Sequence, residues 1–405
     1  MQSVGLRPAS TLEFGIYRDG DNNLDESQAQ GLLQARQVSK SNDNIQFTVE
    51  DTTSREGTEP SGFMRTESYT IENGRVSNLS VDRPADMASE SNLAKFVART
   101  LDNAESTHAK ATWIELSDHG AGDGGGLEAD SAHGIMKMPD IANAIADGVK
   151  LHAQAHPEDA DRKVDGVAAN QCLMATLGFE DALSKVGVHY LAASPETMLS
   201  PGVPSTIASA ISDNADDQKA MAKAVVDTTM QTKYGDATGR YTPAAAFDVL
   251  DLSPDKMSAV TSSVTKLDAA LTQAASKPSV RSILREDARG VPGMTRFPHS
   301  AGLPWHADRP AIALYETFAS DGRLDTALRH LANNAANAVD ATILAHREAD
   351  DYAPFNDASY ADAVGPTVHF PVTAKQVDPW APNVSETNND FYKTVGANRL
   401  SKVLA

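Results

Sequence analysis

"KVDGVAANQCLMATLGFEDALSKVGVHYLAAS", residues 163–194, decides how the chain folds. Residues 163–170 form a short apolar run of strand length, 173–186 carry a helical pattern, and 188–194 return to an apolar strand. A strand, a helix and a second strand in so short a span is the repeating unit of a parallel sheet covered by helices. Cys172, the only cysteine among 405 residues, falls where the first strand hands over to the helix. Two readings compete there: a small buried hydrophobe, or a thiol made acidic by the partial positive charge of a helix N-terminus.

The same alternation extends upstream. Residues 11–18 and 44–51 read as strands, and 63–78 as a hairpin turning at Asn73-Gly74. A helix is expected over 87–104, where Leu93, Phe96, Val97 and Leu101 share one face. A strand over 110–120 follows, ending at Asp118-His119-Gly120, and then a helix over 138–155 opened by Pro139. His119 and Cys172 thus both lie just past a strand's C-terminal end, the edge at which open α/β sheets bind ligands. Downstream the texture turns Ala-rich and helical over 205–234, 253–288 and 323–349, with further strands expected at 241–252 and 365–373. The expected fold is therefore α/β: a mainly parallel sheet flanked by helices over 1–204, and a helical lobe over 205–405 that returns late to the sheet.

Composition excludes several classes of function. The net charge of −20, from 35 basic and 55 acidic residues, argues against nucleic acid and suits cationic peptides or proteins. No apolar run reaches the ~18 residues of a membrane helix, so no membrane partner is expected. A lone cysteine rules out an intrachain disulfide and a Cys-rich zinc site. The N-terminal stretch lacks the pattern of a signal peptide, which leaves a cytoplasmic location or export by another route, and the oligomeric state is open.

A thiol nucleophile needs a base, and His119, 53 residues upstream, is the best-placed candidate. Caspase-type peptidases place their histidine about 50 residues before the cysteine. Gly120 adds a backbone N–H that reaches a substrate carbonyl without side-chain obstruction; with the N–H of Cys172 it is the expected oxyanion hole.

With these residues in place the chain resembles the clostripain-like cysteine peptidases, which share the caspase- and haemoglobinase-like fold. "FGIYRDGDNNLD" resembles that family's opening strand and turn, "LSDHGAG" its His-Gly motif and "NQCLMA" its nucleophile segment. "VHYLAASPETMLSPG", "GPTVHFPVT" and "NNDFYKTV" resemble later strands, a Glu-containing loop and the closing helix. The likeness is strong over 113–204 and faint over 205–360. It implies a cysteine endopeptidase with a Cys172/His119 dyad acting on peptides or proteins. It also implies a specificity pocket around Asn170, Ser194 and Glu196, and self-cleavage after Lys137. Members that cut after Arg or Lys carry aspartate where this chain has Asn170, so a preference for basic residues is an open expectation. A scaffold that binds partners without cleaving them is the alternative.

Three other patterns carry weaker signals. "GAGDGG" at 120–125 has the glycine spacing of a dinucleotide loop, with Asp140 beyond it, but the helix that should follow is displaced to Pro139. The alternating Asp19, Asp21, Asn23 and Asp25 begin like a calcium loop, yet Leu24 replaces its glycine and Gln30 its glutamate. Calcium is a secondary expectation there, against an Asx-rich turn. The remaining histidines show no metalloprotease motif, so no metal centre is expected, and His133 and His189 are read as loop and strand residues.

Overall fold

The computed structural model describes residues 12–53, 65–82, 85–128, 135–234, 242–291, 308–349, 364–372, 390–395 and 404. Chain order begins with β1 (Leu12–Gly20), α1 (Asp25–Ser41), β2 (Ile45–Thr53), β3 (Arg65–Glu72), β4 (Arg75–Asp82) and α2 (Glu90–Ser106). It continues with β5 (Ala111–Ser117), β6 (Gly126–Glu128), β7 (Ile135–Met136), α3 (Met138–Ala155), β8 (Gly166–Asn170), α4 (Leu177–Lys185) and β9 (Tyr190–Ala193). The second half holds α5 (Ile207–Asp213), α6 (Gln218–Gln231), β10 (Ala246–Asp251), α7 (Pro254–Ala274), α8 (Pro278–Gly290) and β11 (Asp308–Pro310). It closes with α9 (Ala311–Ser320), α10 (Thr326–Asp340), β12 (Ile343–Glu348), β13 (Thr367–His369) and α11 (Asp390–Val395).

Nine strands form one sheet in the order β12-β10-β9-β8-β5-β1-β2-β3-β4. The five central strands are parallel, and antiparallel strands close both sides. Every residue of β1 and β8 is buried, as expected of strands covered on both faces. Alternate side chains feed two cores. Tyr17, Ile114, Leu116, Val167 and Leu191 pack with residues of α2, α3 and α4, whereas Phe14, Phe47, Ala168, Phe247 and Val249 pack with residues of α1, α5 and α6. A third core lies among α7, α8, α9, α10 and α11 and takes in Leu177 from α4. The helical region therefore has apolar packing of its own.

Several expectations hold in detail. The hairpin turns at Asn73 and Gly74, both at positive φ (50° and 72°), as a tight two-residue turn between twisted strands requires. Pro139 sits in the first turn of α3, where its missing N–H costs nothing. Others need correction. The run 323–349 is α10 followed by β12, because antiparallel pairing with β10 recruits its last residues into the sheet. β13, expected to rejoin the main sheet, pairs with β11 instead. His189 stands just before β9, and His133 lies outside the described residues. Among the described residues no helix is long and apolar enough to cross a membrane.

Candidate active site

β8, β5 and β1 are neighbours, all parallel, so their C-terminal ends open on one edge. The order in which strands are added reverses between β1 and β5: β1 leads outward through β2 to β4, whereas β5 leads the other way to β8 and β9. The crevice outside such a reversal is where α/β sheets take ligands. The register between β5 and β8 pairs Ser117 with Asn170, a separation of 53 residues that carries His119 alongside Cys172 if continued by two positions. The link persists past the strands through Asp118 N–H donating to the Asn170 carbonyl at 3.3 Å.

The strand-to-helix turn at Cys172 is tighter than its sequence suggests. Leu173 adopts φ 67°, a left-handed conformation that costs a non-glycine residue about 1–3 kcal/mol and recurs at functional turns. The turn is pinned to the loop after β9: Leu173 N–H donates to the Glu196 carbonyl (2.9 Å) and Ala175 N–H to the Ser194 carbonyl (3.0 Å). Helix α4 begins only at Leu177, with Thr176 as its N-cap. The expected help from a helix N-terminus is therefore displaced from Cys172 by the turn. Burial pushes the thiol pKa up; the Met198 amide, donating to Sγ at 3.3 Å, opposes this, and the charges of Glu196 and Asp118 raise it further.

His119 is partly exposed, and its Nε2 faces Asn23 Oδ1 at 2.8 Å. An amide oxygen only accepts, so with the Asn23 oxygen on this side the neutral imidazole carries its hydrogen on Nε2 and its lone pair on Nδ1. Asn23 reaches it from the turn after β1, beside Asn22, whose amide donates to Asp118 Oδ1 at 2.6 Å. Gln171 ties the nucleophile segment to the histidine loop, donating from Nε2 to the His119 carbonyl at 3.0 Å. Neither Asn23 nor Gln171 was singled out from sequence for this role. Their only signal was position, each just past a strand end.

Gly120 packs so closely on the nucleophile turn that a Cβ would run into the Cys172 carbonyl oxygen. On its other side it bridges Gly126 of the β6–β7 hairpin. Asn170 is buried and its amide is engaged: Nδ2 donates to Glu115 (3.0 Å), Ser117 (3.2 Å) and the Pro201 carbonyl (3.2 Å), and Oδ1 accepts from Val203 N–H (2.9 Å). Beneath it, burial pushes Glu115 up to about 7, against the pull of the Asn170 hydrogen bond. Ser194 is fully buried, and its hydroxyl donates to the Glu196 carbonyl (2.9 Å) while accepting from Glu196 N–H (3.0 Å). Glu196 is buried too, with Thr197 N–H on Oε2. These three residues thus shape the loop walls around the thiol. Lys137 caps the start of α3 directly after β7.

The glycine-rich loop forms a short turn at Gly122–Gly124 and the β6–β7 hairpin before α3 begins at Met138, so the helix a dinucleotide loop needs is absent at that place. In this conformation Asp19, Asn23 and Asp25 each have a hydrogen-bond or ion-pair partner. Asp19 accepts from Asp21 N–H, Asn23 faces His119, and Asp25 pairs with buried Arg18 at 2.9 Å. Burial and the charge of Asp118 push the Asp19 carboxyl above its usual range. Among the described residues, side chains that converge as possible metal ligands surround His152 and His156, where the sequence pattern predicts no metal cluster because Asp102 and Glu105 join them only through the packing of α2 on α3.

No protein-family model and no curated protein matches the sequence. Solved structures do match. An inactive zymogen C11 protease from Parabacteroides distasonis aligns with TM-score 0.61 and 15% identity over 96% of this chain and 99% of its own. A secreted C11 cysteine protease from Bacteroides thetaiotaomicron, "iotapain", aligns at 0.65 and 12% over 96% and 99%. A structure from that organism, described as a secreted C11 cysteine protease with an irreversible peptide inhibitor, aligns at 0.62 and 11% over 95% and 99%. The chain has the α/β fold of the C11, or clostripain-like, cysteine protease structures, spanning nearly their whole length.

Proposed function

We propose that this chain is a cysteine endopeptidase with Cys172 as nucleophile and His119 as base. The observation that carries the reading is the delivery of Asn23, His119 and Cys172 by three adjacent parallel strands to one edge of the sheet. The fold shared with C11 cysteine proteases, one of them solved with a peptide inhibitor, supports it. His119 Nδ1 takes the thiol proton as Sγ attacks the substrate carbonyl carbon. The peptide C–N bond breaks, the imidazolium returns that proton to the leaving amine, and water hydrolyses the thioester. N–H groups of Gly120 and Cys172 hold the oxyanion, at roughly 2.7–4 kcal/mol for one such donor.

Preference for a basic residue before the scissile bond is part of the proposal. Glu196 and Asp118 disfavour the thiolate, so a cationic side chain bound beside them offsets both charges and eases ionisation of the thiol. Asn170 contributes by holding the 201–203 loop rather than by charge. Self-cleavage after Lys137 fits its place at the end of a hairpin that bridges Gly120.

The raised thiol pKa is the observation on the side of a scaffold that binds without cutting. One assay separates the readings: a fluorogenic peptide library with the wild type, Cys172→Ala and His119→Ala. Cleavage by the wild type and loss in both variants is expected; an inert wild type, or cleavage that survives Cys172→Ala, overturns the proposal. Intact mass of the incubated chain tests Lys137: a nick there, absent from Cys172→Ala, is expected, and an active but unbroken chain refutes it.

A further inference from the structure

We propose that His152, His156 and Asp102 form a binding site for a divalent transition metal of the zinc class, at the end of the sheet remote from Cys172. The site lies where the C-terminal turns of α2 and α3 meet. His152 lies in the last turn of α3 and His156 is the residue just past its end, tied back by its N–H to the His152 carbonyl at 2.8 Å; the two rings stack with centroids 5.0 Å apart beside Asp102 on α2. Their ligand atoms already crowd together: Asp102 Oδ1 is 2.7 Å from His152 Nδ1 and 3.4 Å from His156 Nε2, and all three atoms lie within 4.8 Å of one another. Ligands on a tetrahedral zinc with bonds of about 2.0 Å stand roughly 3.3 Å apart, so small side-chain shifts suffice.

The cluster does not stand alone, because His152 is also supported from behind. The far nitrogen of His152, Nε2, faces Asp159 Oδ2 at 3.3 Å, and Asp159 is itself held by Arg162 Nε, whose guanidinium also donates to the Ala109 carbonyl at 2.9 Å. His156 Nδ1 lies 3.6 Å from Glu158 Oε1. A carboxylate on the back of a ligating imidazole fixes its tautomer and makes it a better donor, the arrangement found around protein-bound zinc. His152 is fully buried, which preorganises it, whereas Asp102 and His156 are 41% and 29% exposed, which leaves a path for the ion and a place for water as fourth ligand. Two nitrogens and one oxygen select zinc-like ions over calcium or magnesium, which take oxygen.

Placement says what the metal would do. An 18-residue helix is about 27 Å long, and α3 starts beside the hairpin at Gly126 and ends at this cluster. The ion would staple α2 to α3, both packed on the sheet face that carries β5 and β8, and would act on stability rather than on peptide cleavage. The inference does not rest on the peptidase reading.

The test uses the full chain with Cys172→Ser, so that the thiol cannot bind zinc, and titrates it with zinc chloride by calorimetry. One zinc per chain, a melting temperature raised by ~3 °C or more, and a tenfold or greater loss of affinity in His156→Ala and in Asp102→Asn are expected. Asp159→Ala should weaken binding by about 10–100-fold while leaving the stoichiometry unchanged. Cobalt(II) in place of zinc should give the visible bands of a tetrahedral nitrogen and oxygen site, which His156→Ala removes. Circular dichroism and metal-free melting show whether each variant is folded; if one is not, the cobalt spectrum of the parent decides. Absence of stoichiometric zinc binding, or binding unchanged in both His156→Ala and Asp102→Asn, overturns the proposal.

Discussion

Replacing Asn23 tests the active-site geometry where it is most specific. The 2.8 Å contact from His119 Nε2 ends on an amide that hangs from the turn after β1, so Asn23→Ala deletes one hydrogen bond and little apolar packing. The bond matters most when His119 carries the proton taken from Cys172, because a bond to a charged group is worth about 1.5–3 kcal/mol. At 1.36 kcal/mol per tenfold, Asn23→Ala should lower kcat/KM by roughly 10–150-fold, mainly through kcat, since Asn23 supports the base rather than the peptide. The pH profile gives the sign. Without the acceptor the imidazolium is less stable and the limb assigned to His119 moves to lower pH; Asn23→Asp supplies a charge and moves it up. The assay is steady-state hydrolysis of the best peptide from the library between pH 5 and 9, with melting temperature measured on each variant. Unchanged kcat/KM in a folded Asn23→Ala, or both variants moving the limb the same way, would refute the reasoning.

Other expectations follow from the same contacts. Alkylation of Cys172 by iodoacetamide should be slow at pH 6–7 and climb through pH 9, because burial, Glu196 and Asp118 hold the thiol protonated; Glu196→Gln should accelerate it ~3-fold at pH 7.5, and equal rates would remove Glu196 from the account. Gly120→Ala drives a Cβ into the Cys172 carbonyl and should cost about 100-fold or more in turnover, measured on the same peptide. Buried Glu13, hydrogen-bonded to Thr48 at 2.6 Å, is pushed up to about 8 by burial. The folded chain therefore keeps a proton that the unfolded chain releases near pH 4.5. Its contribution to stability is full below that pH and is lost as pH rises through about 8. Glu13→Gln should remove this dependence and raise stability at pH 9 relative to the wild type, by on the order of 3–5 kcal/mol, read from urea unfolding at both pH values.

The strand-helix-strand periodicity, the Asn73-Gly74 turn and the start of α3 at Pro139 are set by neighbours in sequence, and each was legible for that reason. So was the placement of His119 and Cys172 just past the ends of two neighbouring parallel strands, since each closes an apolar run of strand length. β12 was not legible: residues 343–348 take strand form through pairing with β10, almost a hundred residues earlier, and long-range pairing overrides local preference.

Side-chain partnership was decided by tertiary structure alone. Asn170 reads from sequence as a pocket residue, yet the 201–203 loop folds over it and engages its amide. Asn23 reads as part of an Asx-rich turn, yet the order β8-β5-β1 sets it on His119. Cys172 reads as a residue at a helix N-terminus, yet the turn at Leu173 separates it from α4 and places acidic neighbours around it. Sequence by itself determined those strands and helices whose periodicity and turn chemistry are local, and which residues stand at their ends. Which of those ends meet, and whether a charge among them is paired or buried, depends on sheet order and loop closure, and only the folded chain specifies these.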